Sequence, residues 1–269
     1  MNFAEKLTRA MQRNQSLLCV GLDPDPERLP DGVNVLEFNR KIIDATADLV
    51  CAYKLNFAFY EVLDKGFDVL KQTVSYIPDD IPAIGDAKRG DIGNTAKAYA
   101  KSIFTNFDFD ATTVNPYLGF DSIEPFIQYR DRGVFILCRT SNAGAIDFQA
   151  LCAEIEGNKR PLFEIVARKA SQWNTYGNIG LVVGATYPEE LKTIRGNHPD
   201  MLLLIPGIGA QGGDVESTVR YGVDSKGEKA VINSSRQIIY ASPGKDFARA
   251  ARRAAAELRD QINCFRSQL

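Results

Sequence analysis

Eight short apolar runs, each of strand length and each followed by a segment with helical spacing, constrain this chain more than any other feature. They occupy residues 16–22, 49–56, 81–88, 111–115, 133–139, 179–184, 201–206 and 229–234. Most are apolar without alternation, so both faces of each strand are expected to be covered, as in a parallel sheet flanked by helices. Helical spacing is found near 3–11, 35–48, 60–75, 94–104, 123–131, 162–174, from 188, 214–221 and 246–263. Eight such repeats predict a closed TIM (β/α)8 barrel, and 269 residues suit one barrel domain spanning 1–269. A doubly wound open sheet is the competing architecture, but it does not call for eight similar units.

Composition matters here for what it excludes. The 32 basic and 34 acidic residues leave a net charge of −2, which gives no global attraction to nucleic acid or an anionic membrane, so an anionic ligand must be captured locally. The basic residues Arg249, Arg252 and Arg253 are read as a solvated helix face. No run approaches the 18 or so apolar residues of a membrane span, and the first residues lack an apolar signal core; a cytoplasmic protein is expected. Cys19, Cys51, Cys138, Cys152 and Cys264 have no metal-ligand spacing and are read as reduced core residues. His198 is the single histidine, which argues against a His-based triad or a multi-histidine metal site.

In a barrel the chemistry belongs at the carboxyl ends of the strands, and the polar residues fall there. Asp23 follows the first run, Lys54 and Asn56 end the second, and Ser141 and Asn142 follow the fifth. Asp86 and Lys88, two apart at the end of the third, should project to one side. Arg89-Gly90 breaks that strand, and Asp91 is well typed to cap the helix that carries Asn94 and Thr95. After the seventh run, Gly207-Ile208-Gly209-Ala210-Gln211-Gly212-Gly213 offers unshielded amides, from Gly207, Gly209 and Gly212 above all, and the Gln211 side chain. Arg236 follows the eighth run, and together these read as a phosphate grip. A dinucleotide fingerprint fits poorly, because the third glycine is missing at the required spacing.

The stretch Asp86-Ala87-Lys88-Arg89-Gly90-Asp91-Ile92-Gly93-Asn94-Thr95 closely resembles the signature of the orotidine 5′-phosphate decarboxylase family, in the variety found in its longer bacterial members. The resemblance extends over the whole chain. It implies decarboxylation of orotidine 5′-monophosphate to UMP and carbon dioxide, the last step of de novo UMP biosynthesis, with no metal or organic cofactor. It further implies that Lys88 protonates C6 of the pyrimidine, that Asp86 lies beside the substrate carboxylate, and that Lys54 completes the charged array and contacts the ribose with Asp23. Members are dimers, so Asp91 and Thr95 are expected to reach the neighbouring site. Gln211 and Arg236 would hold the 5′-phosphate, while Ser141, with Asn142 beside it, would read the pyrimidine. The segment after the fifth strand is longer here than in the shortest members.

Three rival readings share these residues. Relatives with the same barrel and an Asp-x-Lys-x-x-Asp pattern act on sugar phosphates with a divalent metal. A Schiff-base aldolase would use Lys54 or Lys88, but flanking carboxylates keep an ammonium protonated. A non-catalytic nucleotide-binding module would not need the full set of charges.

Overall fold

The computed structural model describes residues 1–155, 157–209 and 212–269. Eight parallel strands close a barrel in the order β1-β10-β9-β8-β5-β4-β3-β2. They are β1 (Leu18–Gly21), β2 (Ala52–Asn56), β3 (Ala83–Arg89), β4 (Ala111–Val114), β5 (Gly133–Arg139), β8 (Ile179–Val183), β9 (Leu202–Pro206) and β10 (Ala230–Ser234). Each falls within, or runs one residue past, the corresponding apolar run. The two remaining strands, β6 (Cys152–Ile155) and β7 (Asn158–Pro161), pair only with each other as an antiparallel hairpin outside the barrel wall.

The helices are α1 (Phe3–Asn14), α2 (Val35–Thr46), α3 (Ala58–Glu61), α4 (Gly66–Val74), α5 (Gly93–Lys101), α6 (Glu124–Ile127), α7 (Leu162–Trp173), α8 (Pro188–Asn197), α9 (Val215–Gly222), α10 (Arg236–Ile239) and α11 (Phe247–Arg266). α1 is started by a capping box between Asn2 and Glu5. It packs against the amino ends of the strands, where the Phe3 ring meets Phe135 edge-on at 5.9 Å and Lys6 pairs with Asp110 at 2.8 Å. α11 buries Phe247, Ala250, Ala251, Leu258 and Ile262; Arg249, Arg252 and Arg253 stay exposed, as read. Burial of large apolar side chains such as Leu258 and Ile262 contributes about 2 kcal/mol each.

Several local expectations are corrected. The helix expected over 60–75 is two helices, because Lys65 adopts a left-handed φ of 53° and the chain turns there. The helix near 123–131 shrinks to the single turn of α6, and the one near 94–104 ends in a π-helical turn, Ser102–Asn106. Cys19, Cys51 and Cys138 are buried, but Cys152 and Cys264 are exposed: the first stands on the outer hairpin, the second on the outward face of α11. Among the described residues, no helix is long and apolar enough to cross a membrane.

Candidate active site

The carboxyl end of β3 carries a chain of ion pairs. Lys88 Nζ donates to Asp86 Oδ1 at 2.6 Å, and Lys54 Nζ, from β2, donates to Asp86 Oδ2 at 3.0 Å. Asp23, just past β1, stands 3.8 Å from Lys54 and accepts from the Asn56 amide at 3.2 Å. Lys54 and Asp86 are buried, at 4% and 8% exposure, whereas the Lys88 side chain is 47% exposed. The strand is bent to achieve this. Lys88 takes a φ of 48°, and the β3–β4 register slips between Gly85 and Arg89. Thr113 on β4 secures the bend: its hydroxyl accepts from the Lys88 amide at 3.0 Å and donates to Asp86 Oδ1 at 2.8 Å.

The ionisation of the array follows from its contacts. Burial would push the Asp86 carboxyl up, but the Lys54 and Lys88 ammonium groups overcome it and hold the group well below the usual carboxylate range. Burial likewise works against the Lys54 charge, yet Asp23 and Asp86 hold its ammonium above the ordinary lysine value. Burial pushes the neighbouring Cys19 thiol up to about 12, which keeps it neutral.

The array forms one wall of a cavity of about 560 Å³, a size that suits a small-molecule ligand. Leu137, Val182, Leu204 and Pro206 supply an apolar wall, and Ser141, Asn142 and Gln149 line a third side. Gly207, Arg236 and Gln237 also line it. The glycine loop folds back on itself: Gly212 N–H donates to Gly209 O at 2.8 Å and Gly213 N–H to Gly207 O at 3.1 Å. Gly209 has a left-handed φ of 76°, which favours glycine, and a Cβ there would require the Gln237 side chain to move. Arg236 opens α10 and is exposed; its guanidinium has no hydrogen-bond or ion-pair partner among the described residues. Gln211 lies outside the described residues.

Asp23, Lys54, Asp86, Lys88, Ser141, Asn142, Gly207 and Arg236 therefore converge on one cavity, as read from the sequence. Gly209 and Gly212 stand in the loop beyond it. Asp91 and Thr95 do not line it. Nor does Asp91 cap α5: the N-cap position is Ile92, without a side-chain cap, and Asp91 Oδ1 accepts only from the Ile92 amide at 2.8 Å. The helix starts at Gly93, with a φ of 56°, one residue too late for Asp91 to reach the first free amides. Asp91 is left half-exposed, and Thr95 is exposed. Sequence reasoning missed Thr113, Gln149, Asn233, Ser235 and Gln237. A threonine facing inward on an apolar strand, two residues from Ala111, was a usable signal for Thr113; Gln149, ten residues past its strand, offered none.

A family model described as orotidine 5′-phosphate decarboxylase / HUMPS family matches residues 16–253. The orotidine 5′-phosphate decarboxylase of Dehalococcoides mccartyi strain CBDB1 is 57% identical over 269 residues, covering all of both chains. That of Ralstonia pickettii strain 12J is 54% identical over 276 residues, covering 99% of this chain and 100% of the relative. Among solved structures, the OMP decarboxylase of Leishmania donovani superposes with a TM-score of 0.87 at 39% identity, over 99% of this chain and 100% of that one.

Proposed function

The chain belongs to the orotidine 5′-phosphate decarboxylase family and decarboxylates orotidine 5′-monophosphate to UMP in pyrimidine biosynthesis; from that premise we propose how its own residues do so. The observation that carries the reading is Asp86 bridging two ammonium groups, of which Lys54 is buried and Lys88 is half-exposed to the cavity. Loss of carbon dioxide breaks the bond from C6 to the carboxyl carbon and leaves the electron pair on C6, where no adjacent group can delocalise it. A fixed ammonium beside C6 stabilises that charge and then supplies the proton. Lys88 takes this role, and its left-handed backbone, bonded to Thr113, limits how far it can drift. Asp86 lies beside the substrate carboxylate, while Asp23 and Lys54 face the ribose. Ser141 and Asn142 read the pyrimidine; Arg236, Gln211 and the amides of Gly207, Gly209 and Gly212 take the phosphate.

No cofactor takes part in this reading. Both Asp86 oxygens already accept from ammonium or hydroxyl groups, so metal-assisted sugar-phosphate chemistry would have to displace Lys54 or Lys88 to use them.

The active form is a homodimer. Supporting this, the uncapped Asp91 lies near the exposed apolar residues Ile92, Tyr117 and Leu118, at 54%, 82% and 49% exposure, with the two loops joined where the Asn115 amide donates to Arg89 O at 2.8 Å. Asp91 and Thr95 then act in the neighbouring site, and residues 1–269 form one cytoplasmic decarboxylase domain. The test is loss of orotidine 5′-monophosphate absorbance in EDTA, beside Lys88→Ala. Conversion that persists in EDTA and disappears in the mutant is expected; conversion that needs added metal, or that survives the substitution, overturns the mechanism.

A further inference from the structure

Contacts from β8, from the turn after it and from the long segment after β5 hold the loop that carries Ser141. Below, Gly184 at the end of β8 leaves room: a Cβ there would lie 2.8 Å from the N, Cα and Cβ atoms of Ser141, so the backbone of 141 rests directly on the barrel wall. Beside it, Thr186 Oγ1 donates to Ser141 O at 3.2 Å. The third set of contacts comes from the long segment after β5. Gln149 Oε1 accepts from the Thr140 amide at 2.8 Å, and Gln149 Nε2 donates to Thr140 Oγ1 at 2.8 Å. Thr140 Oγ1 in turn donates to Asn142 Oδ1 at 2.7 Å. One carboxamide thus grips both polar groups of the residue before Ser141 that face it and, through the hydroxyl, the residue after it.

Gln149 is itself held. Its amide donates to Ala145 O at 2.9 Å and its carbonyl accepts from the Phe163 amide, on α7, at 3.0 Å. Arg139 Nη1 approaches Gln149 Oε1 at 3.5 Å, and that guanidinium is 1% exposed, paired with Glu190 and stacked 3.7 Å over the Tyr187 ring. The loop 141–148 is therefore closed at its base by Gln149, whose backbone is tied to α7 and whose side chain grips Thr140 and meets Arg139 of β5. Gln149 lines the cavity, but its oxygen and one of its two N–H donors are already committed to the loop.

We propose that Gln149 is a positioning residue for pyrimidine recognition: it locks residues 140–142 in the conformation that reads the base, and it acts through Thr140 without touching the base. This rests on the reading of Ser141 and Asn142 as the pyrimidine contacts. The insertion after β5 then has a purpose beyond length, because its first turn carries the anchor.

The test compares two ligands that share a sugar and phosphate but differ in the base, UMP and ribose 5-phosphate, titrated calorimetrically against wild type, Gln149→Ala, Thr140→Val and Ser141→Ala. Gln149→Ala is expected to weaken UMP about tenfold, the equivalent of one or two net hydrogen bonds, and to leave ribose 5-phosphate unchanged. Thr140→Val, which removes the relay hydroxyl and keeps the backbone bond, should move the same way by less, and serves if Gln149→Ala fails to fold. KM should rise in both with kcat lowered less. Equal weakening of both ligands, or no weakening of UMP, overturns the proposal. Loss of UMP affinity in Ser141→Ala alone overturns the role of Gln149 and keeps that of Ser141; no loss in Ser141→Ala overturns the base-reading role on which the proposal rests.

Discussion

The two charged regions of the cavity are built on opposite terms. On the β1–β3 side, Asp23, Lys54, Asp86 and Lys88 form a chain of ion pairs, two members of it nearly inaccessible and Asp86 further tied by Thr113. On the β9–β10 side, Arg236 is exposed with no partner among the described residues, beside a loop made mostly of glycine. The first region has its electrostatics complete before any ligand arrives, so little reorganisation is left for the reaction itself. On the proposed reading the second is completed by the ligand's phosphate, so its binding energy would be released on association and used to hold the reacting end against the array. On that reading one region serves chemistry and the other capture.

The strongest way to break that division is Lys88→Ala. On the proposed mechanism Lys88 is the proton donor, and its loss should lower kcat by about 10⁴-fold or more, with the melting temperature little changed because the side chain is half-exposed. Stopped assays and a thermal melt on the same preparation check both halves; a mutant that melts early but turns over would reverse the assignment. Asp86→Asn should do the opposite in stability. It leaves buried Lys54 facing a neutral amide, and breaking a buried pair from one side costs about 3–5 kcal/mol, readable by urea unfolding.

On the capture side, Arg236→Ala should lower kcat/KM by about 10- to 100-fold, the worth of a charge-assisted contact, and leave unfolding unaltered. Orotidine, which lacks the phosphate, should not distinguish mutant from wild type. If it does, Arg236 belongs to the array and the two regions are not separable. Gly209→Ala is a smaller version of the same test: the left-handed φ of 76° and the contact with Gln237 should cost about 1–2 kcal/mol, seen as a raised KM.

Legibility followed the same line. The eight strands and the convergence of Asp23, Lys54, Asp86 and Lys88 could be read because strand periodicity fixes where side chains project and a barrel fixes which end matters. The Asp91 cap was misread because capping depends on the exact first residue of a helix, and α5 starts at Gly93 with Ile92, not Asp91, at the N-cap. Thr113 and Gln149 were missed for different reasons. Thr113 needed the β3–β4 register, including its slip, and Gln149 needed the path of a loop whose β6–β7 hairpin has no periodic signal in eight exposed or half-buried residues. What escapes a sequence here is long-range pairing that no local pattern encodes.

The smallest expected effect separates the regions by pH. Asp86 has its pKa depressed on folding, so its contribution to stability is present above the unfolded value, about 3.9, and is lost as pH falls through the lower folded value. Lys54 has its pKa raised, so its contribution is present below about 10.4 and is lost as pH rises through the higher folded value. Between about pH 5 and 9 neither group titrates, and the difference in unfolding free energy between wild type and Asp86→Asn should be flat. The ligand's phosphate, with a second ionisation near pH 6, loses charge inside that window, so KM should rise by less than about tenfold as pH falls from 7 to 5. Urea unfolding and KM measured across the same buffers check this. A stability difference that slopes near neutrality would mean that the array exchanges protons in the folded state, and its charges would then be no more settled before binding than those of the rim.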